Sequence, residues 1–169
     1  TEEIILRMYD VILESAGDMV IMGCNTLSHL CAGLVHINRT GDDTSGREWE
    51  RTRRLGVNTM AFRLCQHNRF YVADADCAGI TPAVPWYYNK QWVRLLGESG
   101  TPLFVSSKPG DMNEEQMSFV SEMFRKSAAQ ADVLEPLDWT VNTCPQRWRI
   151  NGEEIRFDFF EQEPNDLLP

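Results

Sequence analysis

The stretch LVHINRTGDD, residues 34–43, opens as a buried strand would, with Leu34, Val35 and Ile37, and closes on Arg39, Gly41, Asp42 and Asp43. A short apolar run with β-branched bias is the pattern of a strand covered on both faces, as parallel strands are in α/β proteins. In such folds the loops that follow the strands gather around one pocket, so an arginine and two carboxylates at a strand tip fall where chemistry is done. The plain alternative is a solvated acidic turn. The rest of the chain decides between them.

Before this stretch, Ile4, Ile5, Met8, Val11, Ile12 and Ser15 recur at steps of three and four and Gly17 stops them, which predicts a helix over 2–16. MVIMGC at 19–24 reads as a strand like LVHI at 34–37. After it, Trp49, Arg53, Val57, Met60, Ala61 and Leu64 share one helical face over 47–66, and RFYVADADC at 69–77 is a third strand. A helix over 85–97, with Trp86, Trp92, Val93 and Leu96, leads to a fourth strand, TPLFVSS at 101–107, and a last helix over 113–130. Strand and helix alternate four times, the signature of a parallel α/β arrangement. From Pro136 the texture changes: DWTVNTC and RWRINGEEIRFDFF alternate at period two, and Asn151–Gly152 supplies a type I′ hairpin turn. The boundary therefore falls between 1–135, an α/β unit, and 136–169, the start of an antiparallel β-domain.

Composition narrows the function. The 169 residues carry 25 Asp and Glu against 16 Lys and Arg, a net charge of −9, and no basic cluster is interleaved with aromatics. Nucleic acid and anionic membranes are disfavoured as partners, and no run of about 18 apolar residues suggests membrane insertion. The five cysteines, Cys24, Cys31, Cys65, Cys77 and Cys144, form no CxxC pair, and His29, His36 and His67 show no ligand spacing. Neither a disulfide framework nor a metal site is expected. The sequon at Asn38, Arg39 and Thr40 reads as incidental.

The four strand ends are GCNT at 23–26, NRTGDD at 38–43, ADADC at 73–77 and SSKPGD at 106–111. Two carry paired carboxylates. Asp42 has a structural reading as a helix cap and Asp74 as an acceptor for loop amides. SSKPGD is not in Walker order, because Ser107 and Pro109 flank Lys108, and it reads as a loop that starts the next helix. Trp49 and Trp86 each follow an acidic strand end and are candidates to stack on a sugar face, with core packing as the alternative.

Taken together these motifs resemble the retaining α-galactosidases and related α-glycosidases, in particular the bacterial branch. Gly23 and Cys24 match a GCG-type strand end, GLVHINRTGDD from Gly33 to Asp43 matches GLVD followed by RIGPD or RISPD, and Asp74, Asp76 and Cys77 match NDPD followed by cysteine. RLCQHNRFYVADADC is similar to the approach to the family's seventh strand. The resemblance covers most of residues 1–160. It implies the C-terminal half of a (β/α)8 TIM barrel, strands five to eight, with the N-terminal half of the same barrel as partner and a C-terminal antiparallel β-domain beginning at 136–169. It implies a retaining glycoside hydrolase that cleaves terminal α-linked sugars with two carboxylates and no cofactor or metal, on an oligosaccharide or glycoside substrate. Asp43 would be the catalytic general acid and base. Arg39, Cys24, Asn25, Asp74 and Asp76 would bind substrate, with Gly41 bending the backbone to aim Asp43. The nucleophile would lie before Thr1, so residues 1–169 alone would be inactive. A glycan-degrading role suits a bacterial periplasm or exterior.

The sequence departs from the family pattern in four places. Asn25 replaces the second glycine of GCG, Ala73 and Ala75 replace the Asn and Pro of NDPD, and SSK stands at 106–108 instead of an acidic strand end. These departures support a rival reading, a noncatalytic carbohydrate-binding barrel. A small doubly wound domain for a phosphorylated ligand is a third reading, weakened because no glycine-rich loop opens a helix.

Overall fold

The computed structural model describes residues 1–129 and 134–160. The opening helix, α1, spans Glu2–Ala16 and ends at Gly17, whose N–H donates to the Leu13 carbonyl. Three short strands follow in the order the apolar runs imply: β1 (Met22–Cys24), β2 (Ile37–Arg39) and β3 (Val72–Asp74). They form one parallel sheet in chain order, with Cys24 beside Arg39 and Arg39 beside Asp74. The register puts the last residue of each strand in a single row at one end of the sheet. β2 starts at Ile37, later than LVHI suggests, because Leu34 to His36 form the approach to the strand rather than its ladder.

Between β2 and β3 runs α2, a continuous helical segment from Trp49 to Gln66 whose second turn, Thr52–Val57, is π-helical and whose last, Leu64–Gln66, is a 3-10 turn. A second pair of parallel strands, β4 (Ala78–Gly79) and β5 (Val105–Ser106), brackets α3 (Trp86–Glu98). α4 (Glu114–Ser127) starts with a complete capping box: Asn113 accepts from the Gln116 N–H and Gln116 returns the bond to the Asn113 N–H. β6 (Leu134–Pro136), β7 (Arg147–Ile150) and β8 (Glu153–Arg156) close the chain as an antiparallel sheet. Its hairpin turns at Asn151 and Gly152, both at positive φ (50° and 86°), which is the type I′ geometry that an Asn-Gly pair adopts at little cost.

The half-barrel expected from the sequence does not form. A barrel needs all its parallel strands side by side in one sheet, whereas the parallel sheet here stops at β3 and the strand drawn from TPLFVSS pairs with β4 in a separate sheet. The break is local. Asp76 takes a left-handed backbone (φ 73°) and the Asp74 carboxylate accepts the Asp76 N–H at 2.8 Å, so the chain turns out of the ladder before residue 78. The described residues form a small mixed α/β fold of four helices and three small sheets. Nor is the tail a domain of its own: Trp148, Ile150, Phe157 and Phe159 are buried in the same cluster as Trp92, Leu95 and Leu96 of α3. Residue 130 of the predicted last helix and residues 161–169 of the predicted β-domain lie outside the described residues.

A second, smaller cluster, Tyr9, Cys31, Val35, Tyr71 and Ala73, sits under the parallel sheet and α1. No helix among the described residues is long and apolar enough to cross a membrane.

Candidate functional site at the parallel strand ends

The row formed by Cys24, Arg39 and Asp74 is the frame of the site. Arg39 is its centre. Its Nη1 donates to Asp43 Oδ1 at 3.0 Å and lies 3.6 Å from Asp76 Oδ1, which bounds the separation of those two oxygens at 6.6 Å, the two legs end to end. Burial works to lower the Arg39 pKa, but the negative fields of Asp76, Cys24 and Asp43, together with the hydrogen bond to Asp43, outweigh it and hold the guanidinium above its ordinary value. The Arg39 Nε is buried and has no hydrogen-bond partner among the described residues.

Asp43 is the open member of the group, with 59 % of its side chain exposed, against 14 % for Asp76. Two groups hold its loop. Asp42 Oδ1 accepts the Asp43 N–H at 2.8 Å, and Arg51 donates from Nε to the Asp43 carbonyl at 2.8 Å and from Nη2 to Asp42 at 2.9 Å. Asp42 is therefore a loop residue, and it caps no helix, since α2 starts only at Trp49. Gly41 is needed for a reason other than flexibility. Its φ is not in the left-handed region, and a Cβ there would lie 2.5 Å from the Leu55 carbonyl of α2. Close packing, rather than a sharp bend, sets the path that presents Asp43.

Asp76 and Asp74 are more committed. Asp76 Oδ2 accepts the Thr44 N–H at 2.7 Å and the Thr44 hydroxyl at 3.2 Å, which ties the loop after β2 to the loop after β3. Asp74 is 3 % exposed. Burial pushes its pKa up to about 6, with the negative charge of Asp76 adding to the rise and the Asp76 N–H and Arg39 opposing it. It braces the turn and holds a proton more readily than a free aspartate does. On the other side of Arg39, Cys24 is exposed, and Asn25 has φ 50° and donates its N–H to the Arg39 carbonyl at 2.9 Å. The structure thus brings Cys24, Asn25, Arg39, Asp43, Asp74 and Asp76 together, with Asp43 open to solvent, Arg39 largely covered and Asp74 buried.

Other candidates from the sequence are placed elsewhere. Trp49 stacks on Tyr88 at 5.0 Å and donates to the Phe159 carbonyl, so it belongs to the core. Trp86 meets Phe119 edge to face and lines a separate cavity of about 400 Å³ with Asp111 and Asn113. Asn38 is fully buried, and its Oδ1 accepts from Thr26, so the sequon offers no accessible amide for a glycan. Among the described residues no three His, Cys, Asp or Glu side chains cluster as a metal site. Sequence reasoning missed Arg51 and Thr44. Arg51 lies on the polar side of a predicted helix, and Thr44 only follows the acidic pair, so neither carried a signal before the loops were folded.

The arrangement supplies a fixed cation, one open carboxylate and donors along a strand edge, which suits hydrogen bonding to a polyhydroxylated ligand. No model of a known family matches the chain, and no curated protein matches it.

Proposed function

We propose that these strand ends are the sugar-contacting part of a retaining α-glycoside hydrolase of the α-galactosidase kind. The observation that carries the reading is the Arg39 guanidinium held between Asp43 and Asp76 at the tips of adjacent parallel strands. Asp43 is the general acid and base. It gives its proton to the leaving oxygen, a second carboxylate attacks the anomeric carbon, and the Asp43 carboxylate then takes a proton from the water that releases the sugar. Arg39 holds Asp43 in place and donates to sugar hydroxyls, with Cys24 and Asn25 on the neighbouring rim. The nucleophile is assigned to no residue of this chain.

Asp43→Ala should slow oligosaccharides by about 10²- to 10⁴-fold, the usual worth of general acid catalysis. Aryl α-galactosides with good leaving groups should still form the glycosyl-enzyme, and azide should restore turnover as the α-glycosyl azide. Unchanged rates in Asp43→Ala would remove Asp43 from catalysis. A second reading, sugar binding without hydrolysis, is favoured by one observation. A general acid is ordinarily buried to keep its proton, and Asp43 is largely open. Saturable binding of methyl α-galactoside with no turnover of any aryl glycoside would select it.

A further inference from the structure

The start of the chain exposes a run of apolar side chains. On α1, Ile5 and Tyr9 pack inward, yet Ile4, Met8 and Ile12, on another face of the same helix, are 75 %, 50 % and 43 % exposed. Immediately after it, Met19, Val20 and Met22 are 64 %, 70 % and 49 % exposed. Isolated exposed apolar side chains are ordinary, but a run of this density marks a contact surface.

The strand that follows α1 also has an open edge. β1 is the outer strand of its sheet, and its odd-numbered neighbours bond β2: the Ile21 carbonyl accepts from Ile37 and the Asn25 N–H donates to Arg39. The N–H and C=O groups of Met22 and Cys24 therefore face outward, where no other described strand meets them. MVIMGC, residues 19–24, has no charge and no proline to discourage pairing, the usual protections of an edge.

We infer that β1 pairs with β1 of a second copy of this chain, antiparallel about a two-fold axis at Gly23, making one six-stranded sheet. The axis sets Met22 opposite Cys24 of the other copy and turns both outward-facing sets of backbone groups into hydrogen bonds. It also places the two α1 helices on the same face of the joined sheet. The six side chains named expose on the order of 600 Å² of apolar surface, so a pairing that covers them all matches what one partner contributes to the smallest stable interfaces. A second copy fits better than a basic partner because the strand itself carries no charge for a cation to meet. The acids of α1, Glu2, Glu3, Asp10 and Glu14, with the net charge of −9, repel across the axis and are screened by salt.

Sedimentation equilibrium of the protein at about 0.05 and 0.5 M salt reads this out. A reversible dimer that tightens with salt is expected. Val20→Lys should make it monomeric while leaving the circular dichroism unchanged. On a Cys65→Ser background, Met22→Cys should oxidise with a mild disulfide such as oxidised glutathione to a dimer whose cross-link maps to Cys24 of the other copy, because facing residues in such a pair have Cα atoms about 5.5 Å apart. A monomer at about 100 μM, a dimer weakened by salt or indifferent to Val20→Lys, or growth beyond the dimer would each overturn the inference.

Discussion

The core around Trp92 and Trp148 is deep and aromatic, whereas the one under the parallel strands is shallow, held by Tyr9, Cys31, Val35, Tyr71 and Ala73. The first gathers α3, the antiparallel sheet, and Phe157 and Phe159, which stack at 5.2 Å. The second supports a row of polar strand ends, a buried carboxylate at Asp74 and an orphaned amide at Asn38. Apolar and polar burial are thus separated: one region is rich in apolar side chains, and the other buries charged and polar groups.

That division makes the largest expected effect a loss in the aromatic core. Trp148 is fully buried, so Trp148→Ala should destabilise the fold by about 3–5 kcal/mol, and Val35→Ala in the small core by about 1–2 kcal/mol. Chemical denaturation of both variants checks the ordering, and a greater loss at Val35 would break the comparison.

Asp74 sharpens it. An acid whose folded pKa of about 6 lies above its ordinary 3.8 works against the fold wherever it is ionised. Its contribution improves as pH falls through 6 and is complete below 3.8. Asp74→Asn keeps an oxygen for the Asp76 N–H and removes the buried charge, so it should raise stability at pH 7 by up to about 3 kcal/mol. It should also flatten the dependence of melting temperature on pH between about 4 and 6. A variant less stable than wild type at pH 7 would mean that the Asp74 charge supports the site rather than straining it.

The smallest effect is expected at Arg51. Its contacts to Asp42 and the Asp43 carbonyl are partly exposed, so Arg51→Met should cost no more than about 1 kcal/mol. The loop should nevertheless move, and amide shifts from Gly41 to Thr44 should change while those around Trp92 do not. Shifts spread equally through both regions would show that the two are not separate.

How far the sequence could be read follows the same division. Helix α1, the Asn151–Gly152 hairpin and the three parallel strands were legible because each rests on local periodicity or turn chemistry. The join between sheets was not. It depends on Asp76 adopting a left-handed backbone under the Asp74 carboxylate, and ADADC read equally well as a continuing strand. The hydrophobic pattern of TPLFVSS names a strand but not its neighbour, so the expected half-barrel gave way to two small parallel sheets. In the site, Arg39 and Asp43 stood out as charges on an apolar strand, whereas the Thr44–Asp76 tie and the close approach of Gly41 to Leu55 exist only once α2 is packed.

Sugar binding at Arg39 and Asp43 is the proposal on which the rest depends. The most direct measurement is an NMR titration of the isotope-labelled protein with methyl α-galactoside, following backbone amides and the Arg39 Nε signal. Saturable shifts are expected at Cys24, Asn25 and residues 39–43, and they should be lost in Arg39→Met. No shift there, or shifts confined to the groove of about 650 Å³ lined by Phe62, His67 and Trp139, would contradict it.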